Sequence, residues 1–322
     1  MDRGRLGRSG LIVSRIGIGT MNFGSQLSER ESHAILDQAF AAGINFVDTA
    51  EMYSSPPTPE TYGLSESHVG TWLAGRPRDA VVLATKIVGP PDGLFQSGRH
   101  IRNGTTAFDR HHIARAVEGS LKRLGTDYID LYQFHWPDRL TPLEVQLDAV
   151  ARIVESGKVR YFGVSNETPW GLTRMIATAE RLGGVAPVST QNVLNLLEHH
   201  EYDSLLEACR QEQIGYVAFS PLAMGLLSGK YADGQLPEGS RFARYERYRQ
   251  RYADPSFHDR ARSLAQAARE AGVPLAQLAF AWVLRQPGVS SVLTSANNRD
   301  QLESAIAAAA LKIDLARILG GS

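Results

Sequence analysis

Short apolar, β-branched runs alternate with helical patterns along almost the whole chain. The runs SRIGIGT (14–20), NFVDTA (45–50), AVVLATK (80–86), YIDLYQFH (128–135), VRYFGVS (159–165), VSTQNVL (188–194), IGYVAFS (214–220) and VSSVLT (289–294) read as strands. Each is short and mostly apolar, as suits a parallel strand buried on both faces. Helical patterns fill the intervals at 29–42, 65–74, 109–124, 142–156, 169–182, 203–212, 258–271 with 274–286, and 299–310. Asp109 stands where the third helix needs a cap, and Pro142 falls at the first helical position of the fourth.

Eight strand–helix alternations without a break in composition predict one domain over 1–322, a parallel (β/α)8 barrel. An open doubly wound sheet is the competitor. Its phosphate-binding fingerprint needs Gly-x-Gly-x-x-Gly between the first strand and helix, and here that turn reads GIGTMNFG. The N-terminal RLGRSGLIVSRI alternates around glycines and predicts a β-hairpin capping the barrel bottom. From Pro221 to about Pro255 runs the longest irregular stretch, predicted as a functional lid or a disordered excursion after strand seven.

Composition adds mostly exclusions. With 34 basic and 34 acidic side chains, the net charge of zero offers no footprint for nucleic acid or an anionic membrane. The N-terminus lacks a signal-peptide apolar core and no run approaches membrane-spanning length, so the expected compartment is the cytoplasm. The single cysteine, Cys209, has no internal disulfide partner and reads as a part-buried helical thiol. No metal is expected, and a homo-oligomer stays open.

Barrel chemistry collects at the C-terminal strand ends. There the chain places Asp48, Lys86 and His135, with Tyr53 five residues after Asp48 in DTAEMY. Singly, each has a bland reading as a cap, a snorkelling cation or a gap-filler. Together they suit proton transfer to an oxygen. A tyrosine titrates near ~10. A neighbouring ammonium favours phenolate and lowers that value, so Lys86 oriented by Asp48 is expected to make Tyr53 an acid. His135 is expected to donate to the same oxygen.

The stretches GIGTMNFG, GINFVDTAEMY, GLSESHVGTWL, SLKRLGTDYIDLYQFHWPD, GKVRYFGVSNET and SPLAMGLLSGKY resemble the aldo-keto reductases. The resemblance is greatest to the bacterial Tas-type branch, related to voltage-gated potassium-channel β subunits, and covers about 3–312. It implies an NADP(H)-binding barrel that reduces an aldehyde or ketone, with Tyr53, Asp48, Lys86 and His135 as its tetrad. It places Gly19, Thr20 and Met21 beside the cofactor. Ser165, Asn166 and Gln191 match the carboxamide-holding residues, and Phe219 matches the ring that stacks on nicotinamide. Ser220, Pro221, Leu222, Ala223 and Gly225 match the pyrophosphate loop, and Lys230 and Arg241 match phosphate-binding cations. Near strand eight the chain departs from the pattern: TSANNRDQLESA puts Ser295 for a glycine and Ala305 for an adenine-contacting asparagine. Asn297 and Gln301 remain as contacts there, Arg299 is a substitute cation for the 2′-phosphate, and an incomplete preference for NADPH over NADH follows. Met52, Trp136 and the aromatics Tyr245 and Tyr248 are substrate-pocket candidates, with the 88–108 loop bordering the same mouth. Two alternatives are a cofactor-sensing regulatory subunit and an aldolase forming a Schiff base on Lys86; for the latter, Asp48 is expected to raise the lysine's pKa.

Overall fold

The computed structural model describes residues 1–91, 100–231 and 236–320, apart from the side chains of Glu201 and Arg247. Eight parallel strands close on themselves: β3 (Ile16–Gly19), β4 (Phe46–Asp48), β5 (Val82–Ile87), β6 (Ile129–Phe134), β7 (Val159–Ser165), β8 (Ser189–Val193), β9 (Gly215–Phe219) and β10 (Val289–Thr294). Closure is made by β10 pairing with β3, Val292 against Ile16 and Thr294 against Ile18. The expected (β/α)8 barrel is therefore the fold.

The outer ring follows the helical patterns: α1 (Glu29–Ala41), α2 (Leu64–Leu73), α3 (Arg110–Leu124), α4 (Leu143–Glu155), α5 (Pro169–Leu182) and α6 (Asp203–Gln211). Their starts are chemically marked. Ser28 and Glu31 form a reciprocal capping box on α1, and Asp109 accepts from the His112 amide on α3. Pro142 differs from expectation: it is the cap, and α4 begins at Leu143. A single layer of buried Ile, Leu, Val and aromatic side chains, including Leu124, Phe134, Phe162 and Leu172, joins these helices to the strands.

The hairpin β1 (Arg3–Arg5) with β2 (Ile12–Ser14) is antiparallel, as expected. Leu6, Leu11 and Val13 plug the barrel against Phe46, Ala84, Leu131, Val217 and Leu293. Leu6 is fully buried, and a side chain so placed stabilises the fold by roughly 1.5–3 kcal/mol.

The stretch after β9 is more regular than its sequence suggested. It holds a tight turn at Ala223–Ser228, then α7 (Arg241–Arg244), α8 (Glu246–Arg251) and α9, which starts at Pro255 behind the Asp254 cap. α10 (Leu275–Leu284), α11 (Arg299–Ala310) and α12 (Leu315–Ile318) follow. The physical reason is a second apolar cluster. Tyr231, Phe242 and Tyr252 pack with Leu226, Leu227 and Leu278, the Tyr231 and Phe242 rings stacking at 4.6 Å. Residues 92–99 of the 88–108 loop and 232–235 of this stretch lie outside the described residues. Among the described residues no helix is long and apolar enough to cross a membrane.

Candidate active site

The strand ends bring the four expected polar side chains to one mouth. Lys86 is fully buried, and its Nζ donates to Asp48 Oδ2 at 2.5 Å and to the Thr49 carbonyl at 2.8 Å. The same ammonium lies 5.0 Å from the centre of the Tyr53 ring. The Tyr53 and His135 rings meet edge to face, 5.5 Å apart.

Their electrostatics differ from expectation. Tyr53 keeps part of its surface exposed, yet its phenol is enclosed deeply enough to push its pKa well above 10. Enclosure is the largest cause and the Asp48 charge adds to it, while Arg241 opposes both. The expected net depression does not occur: enclosure outweighs any pull from the Lys86 ammonium, which is bonded to Asp48 and Thr49. His135 is held well below 6.5, first by burial and then by the Lys86 charge, so the imidazole is neutral. Its Nδ1 is buried without a hydrogen-bond partner among the described residues. For Lys86 itself burial outweighs the opposing pull of Asp48, and its pKa falls rather than rises.

Beneath the mouth a layer of amides completes the Asp48 environment. Asp48 Oδ1 accepts from Gln191 Nε2 at 2.8 Å and from Gln133 Nε2 at 3.0 Å. Ser165 Oγ donates to the Gln191 carbonyl, and Asn166 Nδ2 donates to the His135 carbonyl at 2.8 Å, which joins β6, β7 and β8. Gln133 escaped the sequence reading. The available signal was spacing, since it stands two residues before His135 and so shares its inward face.

On the opposite rim, Thr20 donates to the Asp48 carbonyl through both its amide and its hydroxyl. Gly19 lies against Ser295, whose Oγ would sit 3.0 Å from a Cβ built there. The Met21 carbonyl accepts from the Ser55 amide. Phe219 is half-buried at the end of β9 and packs on the barrel-interior cluster. Ser220, Pro221, Leu222, Ala223 and Gly225 form the turn that follows, where Gly225 adopts φ +103°, a conformation suited to glycine. The two candidate cations separate. Arg241 Nη2 reaches Asn22 Oδ1 at 3.3 Å, inside the mouth, whereas Lys230 is exposed with its ammonium 5.1 Å over the Tyr231 ring.

Asn22 was also missed. It donates to Asn297 Oδ1 at 2.7 Å, and Asn297 Nδ2 donates to Gln26, so the Asn297 amide is spent on neighbours. Gln301 accepts from the Asn297 backbone. Ala305 faces the core with no exposure, and Arg299 pairs with Glu303 on the surface.

Met52 packs against the buried cluster of Val88, Ile101 and Trp136. Trp136 Nε1 donates to the Pro90 carbonyl at 2.6 Å. Behind them is a buried ion pair, Glu51 with Arg102; Glu51 also accepts from the Val88 amide and Tyr62, and Arg102 donates to the Val88 carbonyl. Tyr245 and Tyr248 lie across the mouth, bonded through their hydroxyls to the Ser55 carbonyl (3.1 Å) and Ser55 Oγ (3.3 Å). At the far end of α8, Glu198 receives Arg251 at 2.9 and 3.0 Å and also the Tyr252 hydroxyl. The segment is thus fastened on both sides.

A parallel barrel with a phenol, an ammonium–carboxylate pair and a neutral imidazole at its C-terminal mouth is an oxidoreductase scaffold of a recognisable class. The aldo/keto reductase family model matches residues 15–318, and the chain belongs to that family. It is 40% identical to Protein tas of Escherichia coli (strain K12) over 324 residues, covering 95% of this chain and 92% of that protein. A probable voltage-gated potassium channel subunit beta from Oryza sativa subsp. japonica is 37% identical over 308 residues (94% and 89% covered). An uncharacterized oxidoreductase, YrpG, from Bacillus subtilis (strain 168) is 37% identical over 320 residues (98% and 93% covered).

Proposed function

We propose that this oxidoreductase reduces an aldehyde or ketone to an alcohol using NADPH, with Tyr53 as the general acid. The observation that carries the reading is the meeting of Tyr53 with His135 beside the Lys86–Asp48 pair. When bound, the cofactor supplies a hydride to the carbonyl carbon. Tyr53 O–H then delivers a proton to the carbonyl oxygen, so one hydride and one proton complete the alcohol. Neutral His135 donates a ring N–H to the same oxygen as negative charge develops there. Lys86 has two protons committed to Asp48 and Thr49. Its third is available to stabilise the phenolate that Tyr53 becomes.

The residues fit such a cofactor. The Gly19 backbone approaches Ser295 closely enough that a side chain would crowd the turn, and Gly225 shapes a tight loop after β9. Ser165, Asn166 and Gln191 would hold the carboxamide, Phe219 would stack, and Ser220 through Gly225 would line the pyrophosphate. Arg241 and Lys230 would meet the phosphates, giving a partial preference for NADPH. Met52 and Trp136 would border the substrate.

A regulatory, cofactor-sensing role is the second reading, favoured by the 37% identity to a probable channel β subunit. The test is steady-state NADPH oxidation over a panel of aldehydes, ketones and quinones. Turnover of any carbonyl that is lost in Tyr53→Phe supports the reductase. Cofactor binding without turnover across the panel supports the sensor.

A further inference from the structure

Asp48, Gln133 and Gln191 stand on β4, β6 and β8, and alternate strands of a parallel barrel contribute to the same interior layer. All three side chains are buried. Gln133 pairs in register with Lys86 on one side and with Gly163 on the other. A Cβ at Gly163 would come within 3.2 Å of the Leu131 side chain and closer still to Ser189, so this glycine keeps the layer clear.

The directions of the hydrogen bonds in this layer are fixed by chemistry. Ionised Asp48 only accepts and Lys86 only donates. Each glutamine therefore turns its NH2 toward Asp48 Oδ1, at 3.0 Å from Gln133 and 2.8 Å from Gln191. With its NH2 so placed, Gln133 turns Oε1 toward Gln191, whose Nε2 lies 3.4 Å away. Both N–H bonds of Gln191 then have acceptors, while its Oε1 takes no hydrogen bond from the described residues.

We propose that Gln133 is a positioning residue: Asp48 takes one N–H of the Gln191 amide and Gln133 takes the other, so that the Gln191 oxygen alone meets the nicotinamide carboxamide. Gln191 thereby selects a cofactor that offers an N–H donor. The inference rests on the NADPH reading above, and it concerns a residue that touches neither substrate nor cofactor.

The test compares NADP+ with its 3-acetylpyridine analogue, in which a methyl ketone replaces the carboxamide and removes the donor. Dissociation constants are measured by fluorescence quenching for wild type, Gln133→Met and Gln133→Glu, with folding followed by thermal melting. Wild type is expected to prefer NADP+ about tenfold, the worth of one hydrogen bond. Gln133→Met, close in shape but unable to accept from Gln191, is expected to bring that ratio within about twofold by weakening NADP+ alone. Gln133→Glu, buried beside Asp48 and so protonated, donates its O–H to Asp48 Oδ1 and keeps a carbonyl oxygen facing Gln191; it is expected to retain the preference and carries the test should Gln133→Met fail to fold. An unchanged ratio in Gln133→Met, equal weakening of both ligands, or loss of the ratio in Gln133→Glu overturns the proposal while leaving the NADPH reading intact. Equal affinity of wild type for the two ligands does the same. Binding of neither ligand by wild type overturns the cofactor reading itself, and this inference with it.

Discussion

The Lys86 ammonium lies 5.0 Å from the centre of the Tyr53 ring, and two of its protons point elsewhere, at Asp48 and Thr49. Asp48 therefore offsets much of that ammonium's pull on the phenol. Burial then dominates, and the phenol titrates well above 10. Tyr53 should remain protonated through neutral and mildly alkaline pH, with the acid lost only as pH rises through that elevated value. A kcat/KM profile for carbonyl reduction should show no Tyr53 limb up to pH 10. In Tyr53→Phe reduction should fall by ~10² or more, with NADPH affinity, read by fluorescence quenching, close to that of wild type.

His135 offers a stability test with a definite sign. Its pKa in the fold lies well below the ordinary 6.5, so the unfolded chain binds a proton before the folded one does. The stability linked to neutral His135 is present above 6.5 and is lost as pH falls toward the depressed value. The slope from one such group is about 1.4 kcal/mol per pH unit. Urea unfolding of wild type and His135→Asn at pH 7.5 and 5.5 should converge at the lower pH. The His135 ring signals should not titrate across that interval by NMR.

The buried Glu51–Arg102 pair predicts a second stability effect. Arg102→Met leaves the Glu51 carboxylate without its ion partner, with the Val88 amide and Tyr62 as its remaining donors among the described residues. Removing one partner of a buried pair costs roughly 3–5 kcal/mol. The double replacement Glu51→Gln with Arg102→Met should recover most of that loss, since the stranded charge is gone. Denaturant midpoints of the two variants measure both effects. Similar stability for wild type and Arg102→Met would assign the pair no structural role.

Lys86 has the lowered pKa that an amine nucleophile needs, with burial its leading cause. Its nitrogen is nevertheless fully enclosed and bonded to a carboxylate and a carbonyl. Borohydride added with a carbonyl substrate should leave Lys86 unmodified by peptide mass mapping. A reduced adduct on Lys86 would replace hydride transfer with imine chemistry.

The two cations proposed to meet the cofactor phosphates are Arg241, inside the mouth on Asn22, and Lys230, exposed beyond the turn. Replacing both with alanine should weaken NADPH about tenfold to hundredfold for each lost charge-assisted contact. NADH should be nearly unaffected. Titration of both cofactors against wild type and the double variant decides, and equal weakening would place the two side chains on the pyrophosphate they share.

The barrel was legible because parallel strands buried on both faces leave continuous apolar runs, and the strand-end polar residues stood out against them. Boundaries contracted where the chain leaves the barrel: NFVDTA keeps only Phe46–Asp48 in the strand. α7 and α8 were hidden by charge, since FARYERYRQRY buries Phe242 and Tyr252 among the exposed Arg244, Arg249 and Arg251. Gln133 was masked by the apolar residues around it in β6. The Asn22–Asn297 contact joins residues 275 positions apart, beyond any local pattern. Tyr53's acidity was misjudged for a related reason. Sequence placed an ammonium near the phenol, but only coordinates reveal where its protons point.

The plug formed by Leu6, Leu11 and Val13 has a kinetic consequence. It closes one end of the barrel axis, so among the described residues the strand-end site is approached from the opposite end. Tyr245 and Tyr248, hooked to Ser55, stand across that approach. For the proposed cofactor and substrate, which would both use that approach, binding is expected to be ordered, and product-inhibition patterns would read it.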